Sequence, residues 1–339
     1  MDERARLARG DAGGRGAMRR RRMFWRNAIL AALLLASLVT SAVSRKIDPA
    51  AAFNSRMAVQ PIADRDETLV AKEVAALPAQ RPGVIDLYAI GVAGDGTENV
   101  FRNETEYFET LMRTRFHARG VVTLVSNPDS VGKKPRPLAS YDDLYDAVTG
   151  VARKMDKRED ILLLYLTMHG SHDHELALNF PPYVDDTLVP DDLRFVLRKA
   201  GIRNRVIAIS ACYSGGFIPR LQNDDTLIMT AARSDRPSFG CGADSTATFF
   251  GRAWLVEGLN RTIDFAEAFR HAQGRIQAWE ELEGDDPSHP QVSEGAAIRK
   301  RLAAWRAQTT PGPTVAYPWP LDDLDHPKPD AGGDDAPSP

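Results

Sequence analysis

A cysteine attacks a carbonyl only when a base stands beside it and donors await the oxygen. In this chain those requirements converge on two short stretches. One is His169-Gly170, which closes the apolar run Ile161 to Met168; the other is Cys212-Tyr213-Ser214-Gly215-Gly216, which closes Arg205 to Ala211. The thiolate is the nucleophilic form of cysteine, and an imidazole is its usual base. A tetrahedral intermediate also needs hydrogen-bond donors for its oxygen, and the backbone N–H groups of Gly170 and Cys212 are the candidates. Glycine at 170 would let a substrate backbone approach closely.

Two elements must bring those stretches together. Each run is apolar throughout and of strand length, as expected of a strand buried on both faces. Pro190 to Ala200 lies between them as an amphipathic segment. Parallel strands joined by a helix open their carboxyl-terminal loops on one edge of a sheet, so His169 and Cys212 should be neighbours. Upstream, Val84 to Ala93 reads as another strand, leaving through the turn Gly94-Asp95-Gly96. Phe101, Phe108, Leu111, Met112 and Phe116 recur at helical spacing between Glu98 and His117. A strand at Gly120 to Val125 and a helix at Tyr141 to Met155 come next, and this βαβαβ order predicts an α/β fold with a parallel sheet between helices. Beyond Cys212 the chain reads as a strand at Thr226 to Ala231, a loop from Arg233 to Thr246, and helices at Thr248 to Leu259 and Asp264 to Leu282.

The 339 residues carry 43 Lys and Arg against 46 Asp and Glu, and 43% are hydrophobic. That is an ordinary globular composition, and with no basic excess outside the amino terminus it argues against a nucleic-acid partner. The amino terminus is different. Arg19 to Arg22 and Arg26 precede an uncharged run from Asn27 to Ser44, which as a helix would span roughly 27 Å, close to the ~30 Å bilayer core. A transmembrane anchor and a cleaved signal peptide both fit, and the flanking arginines send the downstream chain to the non-cytoplasmic side, membrane-anchored or secreted. The expected organisation is a basic terminus at 1–26, the apolar helix at 27–44, a stalk at 45–80, one α/β domain at 81–309, and a disordered Pro- and Asp-rich tail at 310–339.

Other chemistries compete for the same residues. His169, His172 and His174 with Asp173 form a cluster that could bind zinc, but such a loop offers no fixed ligand geometry. No metal or cofactor is therefore expected, and His172 and His174 read as solvent-facing. Cys212 and Cys241 could form a disulfide, which would abolish the nucleophile. Asp95 could orient His169 or simply shape its turn. A catalytically silent binding module is a further alternative.

The ordered set of motifs resembles the legumain family of cysteine peptidases, family C13 of the caspase-like clan. The resemblance lies in the strand ending at His169-Gly170 and the strand ending in Ala211-Cys212-Tyr213-Ser214-Gly215-Gly216. It extends to Thr230-Ala-Ala-Arg-Ser, Ser238-Phe-Gly-Cys241, Thr248-Phe-Phe-Gly251 and Arg102 within Asn99-Val-Phe-Arg-Asn-Glu104, covering about Val84 to Glu283. It implies a caspase-like three-layer sandwich with a mostly parallel central sheet, a Cys212–His169 dyad, and hydrolysis of a protein or peptide substrate without cofactor. It also implies a substrate pocket built from Arg102, Tyr213 and Ser238, and two free thiols, since related sequences carry a cysteine in the same loop. The chain departs from the family pattern at Tyr213, where an acidic residue is common, and at Arg252 or Ala253, where another acidic residue is expected. Both changes shift the expected preference toward cleavage after Asp as well as Asn. Little foldable sequence follows Trp305, so the long helical pro-domain of animal legumains is not expected here. A transamidase of the same fold would use the same dyad.

Overall fold

The computed structural model describes residues 49–242 and 244–326, with side chains from residue 59. The chain divides into two compact units, residues 1–53 and 54–339, and the second holds the whole α/β domain. The elements run α1 (Pro49–Ala76), β1 (Leu87–Ala93), α2 (Asn99–Thr114), β2 (Gly120–Val125), α3 (Tyr141–Ala152), β3 (Ile161–Thr167), β4 (Leu176–Phe180), β5 (Val184–Leu188), α4 (Pro190–Ala200), β6 (Asn204–Ser210) and β7 (Thr226–Thr230). A π-helical segment at Gly251–Gly258, α5 (Phe265–Glu283), β8 (Gln291–Glu294) and α6 (Ala296–Gln308) complete the domain. Six strands form one sheet in the order β2-β1-β3-β6-β7-β8. All its pairings are parallel except β7 with β8.

The apolar runs explain the layers. Along β3, Leu162, Leu164 and Leu166 face one apolar cluster, and Ile161, Leu163 and Tyr165 face the other. The first cluster lies under α3 and α4 through Leu144, Val148, Val151, Leu193 and Leu197; the second lies under α2, α5 and α6 through Phe108, Leu111, Phe269 and Trp305. A strand must be apolar on both faces to sit between two such layers. The mostly parallel sheet between helical layers is therefore present as the sequence implied.

Four features depart from expectation. Of the expected stalk at 45–80, the part from Val70 to Leu77 is packed rather than free: α1 carries Val70 and Val74 at i, i+4 spacing and buries them with Leu77 in the first cluster. An antiparallel hairpin, β4–β5, stands between His169 and α4. Strand β8 and helix α6 extend the domain after α5. The tail at 310–326 is ordered as a strap over the α2 layer. Val315, Tyr317 and Trp319 alternate with Ala316, Pro318 and Pro320, presenting one face of an extended chain, and Leu324 is buried. The prolines read as a sign of disorder restrict the unfolded chain, so the strap loses less entropy on ordering. Residues 327–339 and the apolar run 27–44 lie outside the described residues; among those described, no helix is long and apolar enough to cross a membrane.

Several carboxyls are buried without a cation. Burial pushes Asp143 up to about 7 and Asp160 up to about 6, and it raises Glu104 as well. Folding thus favours the neutral form of each; for Asp160 and Asp143 the stability contributed is complete below about pH 4 and is lost as pH rises through 6 and 7. The urea midpoint should be higher at pH 5.5 than at pH 8, and Glu104→Gln should narrow that gap. An unchanged gap in the variant would show that Glu104 titrates alike in the folded and unfolded chains.

Candidate active site

The register of the two central strands decides how close the chemistry comes. Thr167 pairs with Ser210, so His169 and Cys212 each stand two residues beyond a matched pair. The backbones then draw closer still: Met168 N–H donates to the Ser210 carbonyl at 3.2 Å, and a Cβ on Gly170 would lie 2.2 Å from the Cys212 carbonyl oxygen. Only glycine fits there. Ladder bonds flank Gly170 on both sides, from Ala177 N–H to the His169 carbonyl and from Ser171 N–H to the Glu175 carbonyl, both 2.9 Å. Gly170 itself falls at the non-bonded position of that ladder, and among the described residues neither its N–H nor that of Cys212 has a hydrogen-bond partner. Two uncommitted donors therefore stand at adjacent strand ends.

Helix α2 approaches the imidazole from the next strand. Glu98, its N-cap, holds Oε2 3.5 Å from His169 Nε2, and that oxygen is buried without a hydrogen bond. The Phe101 ring meets His169 edge to face at 5.0 Å. Asp95 is not the orienting group. Its carboxylate accepts from Thr97 N–H and Oγ1 and from Asn179 Nδ2, shaping the turn after β1 and tying it to the hairpin. Glu98 was missed in the sequence, although it lies three residues before Phe101 and so on the same helical face.

Cys212 occupies a tight turn. Tyr213 adopts φ 55°, a left-handed conformation that a residue with a Cβ resists, and its N–H donates to the Arg236 carbonyl at 2.8 Å. That bond fastens the 233–246 loop over the thiol. Ser238 N–H donates to Cys212 Sγ at 3.3 Å, and Ser238 Oγ lies 3.7 Å from the sulfur. Cys212 Sγ itself donates to the Ser238 carbonyl at 3.5 Å. Both cysteines are free. No hydrogen bond joins His169 to Cys212 among the described residues; such contacts often tighten only around bound substrate. His172 is exposed and lies against Tyr213 at 5.4 Å, whereas His174 is half-buried over Gly216 rather than solvent-facing. Among the described residues, no group of three or more His, Cys, Asp or Glu is arranged to hold a metal ion.

Beneath these loops the buried Glu104 ties the two strand ends together. Its Oε2 accepts from Thr167 Oγ1 at 2.6 Å and Tyr165 OH at 2.7 Å, and its Oε1 accepts from Thr248 N–H at 2.7 Å. Thr248 Oγ1 in turn shares a 2.9 Å hydrogen bond with Ser210 Oγ. One carboxyl thus links the residue that ends β3 to the residue that ends β6.

Arg102, one turn along α2 from Glu98, pairs through Nη1 with the half-exposed Asp129 at 3.3 Å, and Trp319 of the strap lies under its guanidinium at 5.9 Å. Its Nε is buried with no partner. Arg252, expected as a further charge near the substrate pocket, is turned to the strap instead. It donates to the Asp322 carbonyl and to Glu257, and stacks on Trp279 at 4.6 Å.

The sequence matches the Peptidase C13 family across residues 87–296, from the first residue of β1 to the first residue of α6. The chain belongs to that family. In this C13 protein the matched span takes in all six strands of the sheet and both stretches bearing His169 and Cys212, while the strap lies beyond it. A solved structure it resembles is caspase-1 from Spodoptera frugiperda, at 14% identity and a TM-score of 0.40, covering 64% of this chain and 92% of that one. No curated protein sequence matches it.

The two thiols should be distinguishable. Burial, with smaller contributions from Cys212 and Glu98, pushes Cys241 up to about 11, so it is almost wholly protonated at neutral pH. Iodoacetamide at pH 7.5 should alkylate Cys212 first and Cys241 only after denaturation. Equal rates, read by peptide mass mapping, would remove the distinction.

Proposed function

We propose that this C13 protein is a cysteine endopeptidase in which Cys212 is the nucleophile and His169 the general base and then acid. The observation that carries the reading is the meeting of β3 and β6 at their carboxyl ends: an imidazole, a thiol and two uncommitted N–H donors, with a glycine required between them. His169 takes the thiol proton as sulfur attacks the peptide carbonyl carbon. The N–H groups of Gly170 and Cys212 hold the oxygen as it becomes negative. His169 then gives its proton to the leaving amine, which departs and leaves a thioester; water, deprotonated by the same imidazole, hydrolyses the thioester and restores the thiol. Glu98, 3.5 Å from Nε2 and without a hydrogen bond in the free protein, would accept from that nitrogen when the contact tightens around substrate, leaving Nδ1 as the base and stabilising the imidazolium that forms.

Arg102 is proposed to receive the substrate residue before the scissile bond. A guanidinium offers paired donors that suit a carboxylate or an amide oxygen, and its partner Asp129 is half exposed, so that contact is weak in water and exchangeable. With Tyr213 in place of an acidic neighbour, the expected cleavage is after Asp or Asn.

A diverse peptide pool, digested by the protein and analysed by mass spectrometry, tests both parts. Cys212→Ala should lower turnover by about a thousandfold or more. Arg102→Glu should lower kcat/KM for Asp substrates by on the order of a hundredfold, about 3 kcal/mol, because a charged hydrogen bond becomes a repulsion. Undiminished cleavage by the Cys212 variant would overturn the peptidase mechanism, and an unchanged Asp preference in the Arg102 variant would overturn the pocket.

Glu98→Gln keeps the size of the side chain but removes its charge. It should lower kcat tenfold or more, within the usual range for support of a general base, and leave KM within about threefold, since uniform substrate binding is untouched. A change confined to KM would mean that Glu98 touches substrate rather than the imidazole.

A further inference from the structure

The strap at 310–326 crosses the domain at the place where the proposed substrate pocket is built. It is anchored before and after that crossing. Gly312 exchanges backbone and side-chain hydrogen bonds with Arg115, at 2.8 and 2.9 Å, and Val315 is held by Asn260 and Tyr107. Tyr317 OH donates to the Thr246 carbonyl at 2.6 Å, and Thr246 Oγ1 donates back to the Pro320 carbonyl. Farther on, Asp325 accepts from Arg275 at 2.7 Å and from Trp279 at 3.1 Å, and Leu324 is buried. Thr246 ends the loop that covers Cys212, and its carbonyl also accepts from Asn103 Nδ2, the residue after Arg102. Strap, loop and helix α2 therefore converge on one point, and Trp319 projects there against Arg102.

We propose that Trp319 is a specificity-determining wall of the pocket, fixing Arg102 so that the pocket accepts side chains of the length of Asp or Asn and excludes Glu and Gln. The proposal rests on the reading of Arg102 as the residue that receives the substrate side chain. The guanidinium carbon lies over the Trp319 ring at 5.9 Å and Asp129 holds one terminal nitrogen, and the arginine side chain is only 16% exposed. A ligand carboxylate must then meet the guanidinium in its plane, where paired donors lie. A side chain one methylene longer fits only if the guanidinium retreats. The indole blocks that retreat, and the anchors on both sides of Trp319 keep the indole itself in place. An extended segment rich in proline suits a fixed wall, because little of its freedom remains to be lost.

The test compares kcat and KM for matched peptides bearing Asp, Asn, Glu or Gln before the scissile bond, with wild type, Trp319→Ala, Trp319→Phe and Arg102→Glu assayed below their melting temperatures. One methylene changes such discrimination by roughly 10- to 200-fold. Trp319→Ala should therefore raise the Glu-to-Asp ratio of kcat/KM at least tenfold, chiefly through KM, while Trp319→Phe keeps the wild-type ratio within about threefold. If the alanine variant melts below the assay temperature, Trp319→Leu replaces it with the same expected direction. An unchanged ratio in a folded variant overturns the proposal, as does an equal rise for all four peptides, which would make the strap a lid. Arg102→Glu separates the two failures. Loss of Asp cleavage there with no effect of Trp319→Ala removes the wall alone; no effect of Arg102→Glu removes the pocket reading and the wall with it.

Discussion

The site depends on the in-register pairing of β3 with β6. Because Thr167 pairs with Ser210, the two chains leave the sheet at the same level, and Gly170 passes within contact distance of the Cys212 carbonyl. A slip of one residue would turn every side chain of a strand to the other face, exchanging the two apolar clusters it joins. The packing of both layers therefore enforces the same register that brings the loops bearing His169 and Cys212 to one edge of the sheet. Here the stability of the core and the geometry of the site are one constraint.

Glu104 shows a second use of the interior. A carboxyl with no cation near it is costly to bury, and three donors only partly offset that. The arrangement supplies direction: Thr167 and, through Thr248, Ser210 are held at fixed distances just below the loops that carry His169 and Cys212. The helix that supplies this carboxyl also supplies Glu98, Phe101 and Arg102. One rigid element thus reaches the imidazole, the proposed substrate pocket and the strand ends. The hairpin β4–β5 plays the matching part from the other side, since its Asn179 N–H donates to the Gly94 carbonyl and its Ala177 N–H to that of His169.

The strap extends this logic beyond the strands. Residues past 309 carry few large apolar side chains, yet almost every one is used: Val315, Tyr317 and Trp319 pack on the second cluster and Leu324 is buried within it. Tyr317 stacks edge to face on both Tyr107 and Trp319, at 5.0 and 5.2 Å, so the segment joins the aromatic packing of the layer it covers. Ordering so short a segment depends on a surface already formed beneath it.

By itself, the sequence determined the features that depend on local pattern. Apolar runs of strand length foretold β1, β2, β3, β6 and β7, helical spacing foretold α2, α3 and α4, and their alternation foretold a parallel sheet with His169 and Cys212 on one edge. The hairpin leaves no strand signal in the sequence because its exposed strand, Val184–Leu188, is polar at its centre. Helix α1 reads as a stalk in the sequence because a single apolar stripe, Val70 to Leu77, shows its value only against a partner surface. The strap's period-two alternation was visible in Val315, Tyr317 and Trp319, but composition argued the other way. Only tertiary structure decided that Glu98 rather than Asp95 faces His169, that Arg252 turns to the strap, and that Trp319 lies against Arg102. Each of these is a contact between segments far apart in the chain or a choice between neighbouring carboxylates, and no local periodicity encodes either; they result from how the packed layers aim the side chains.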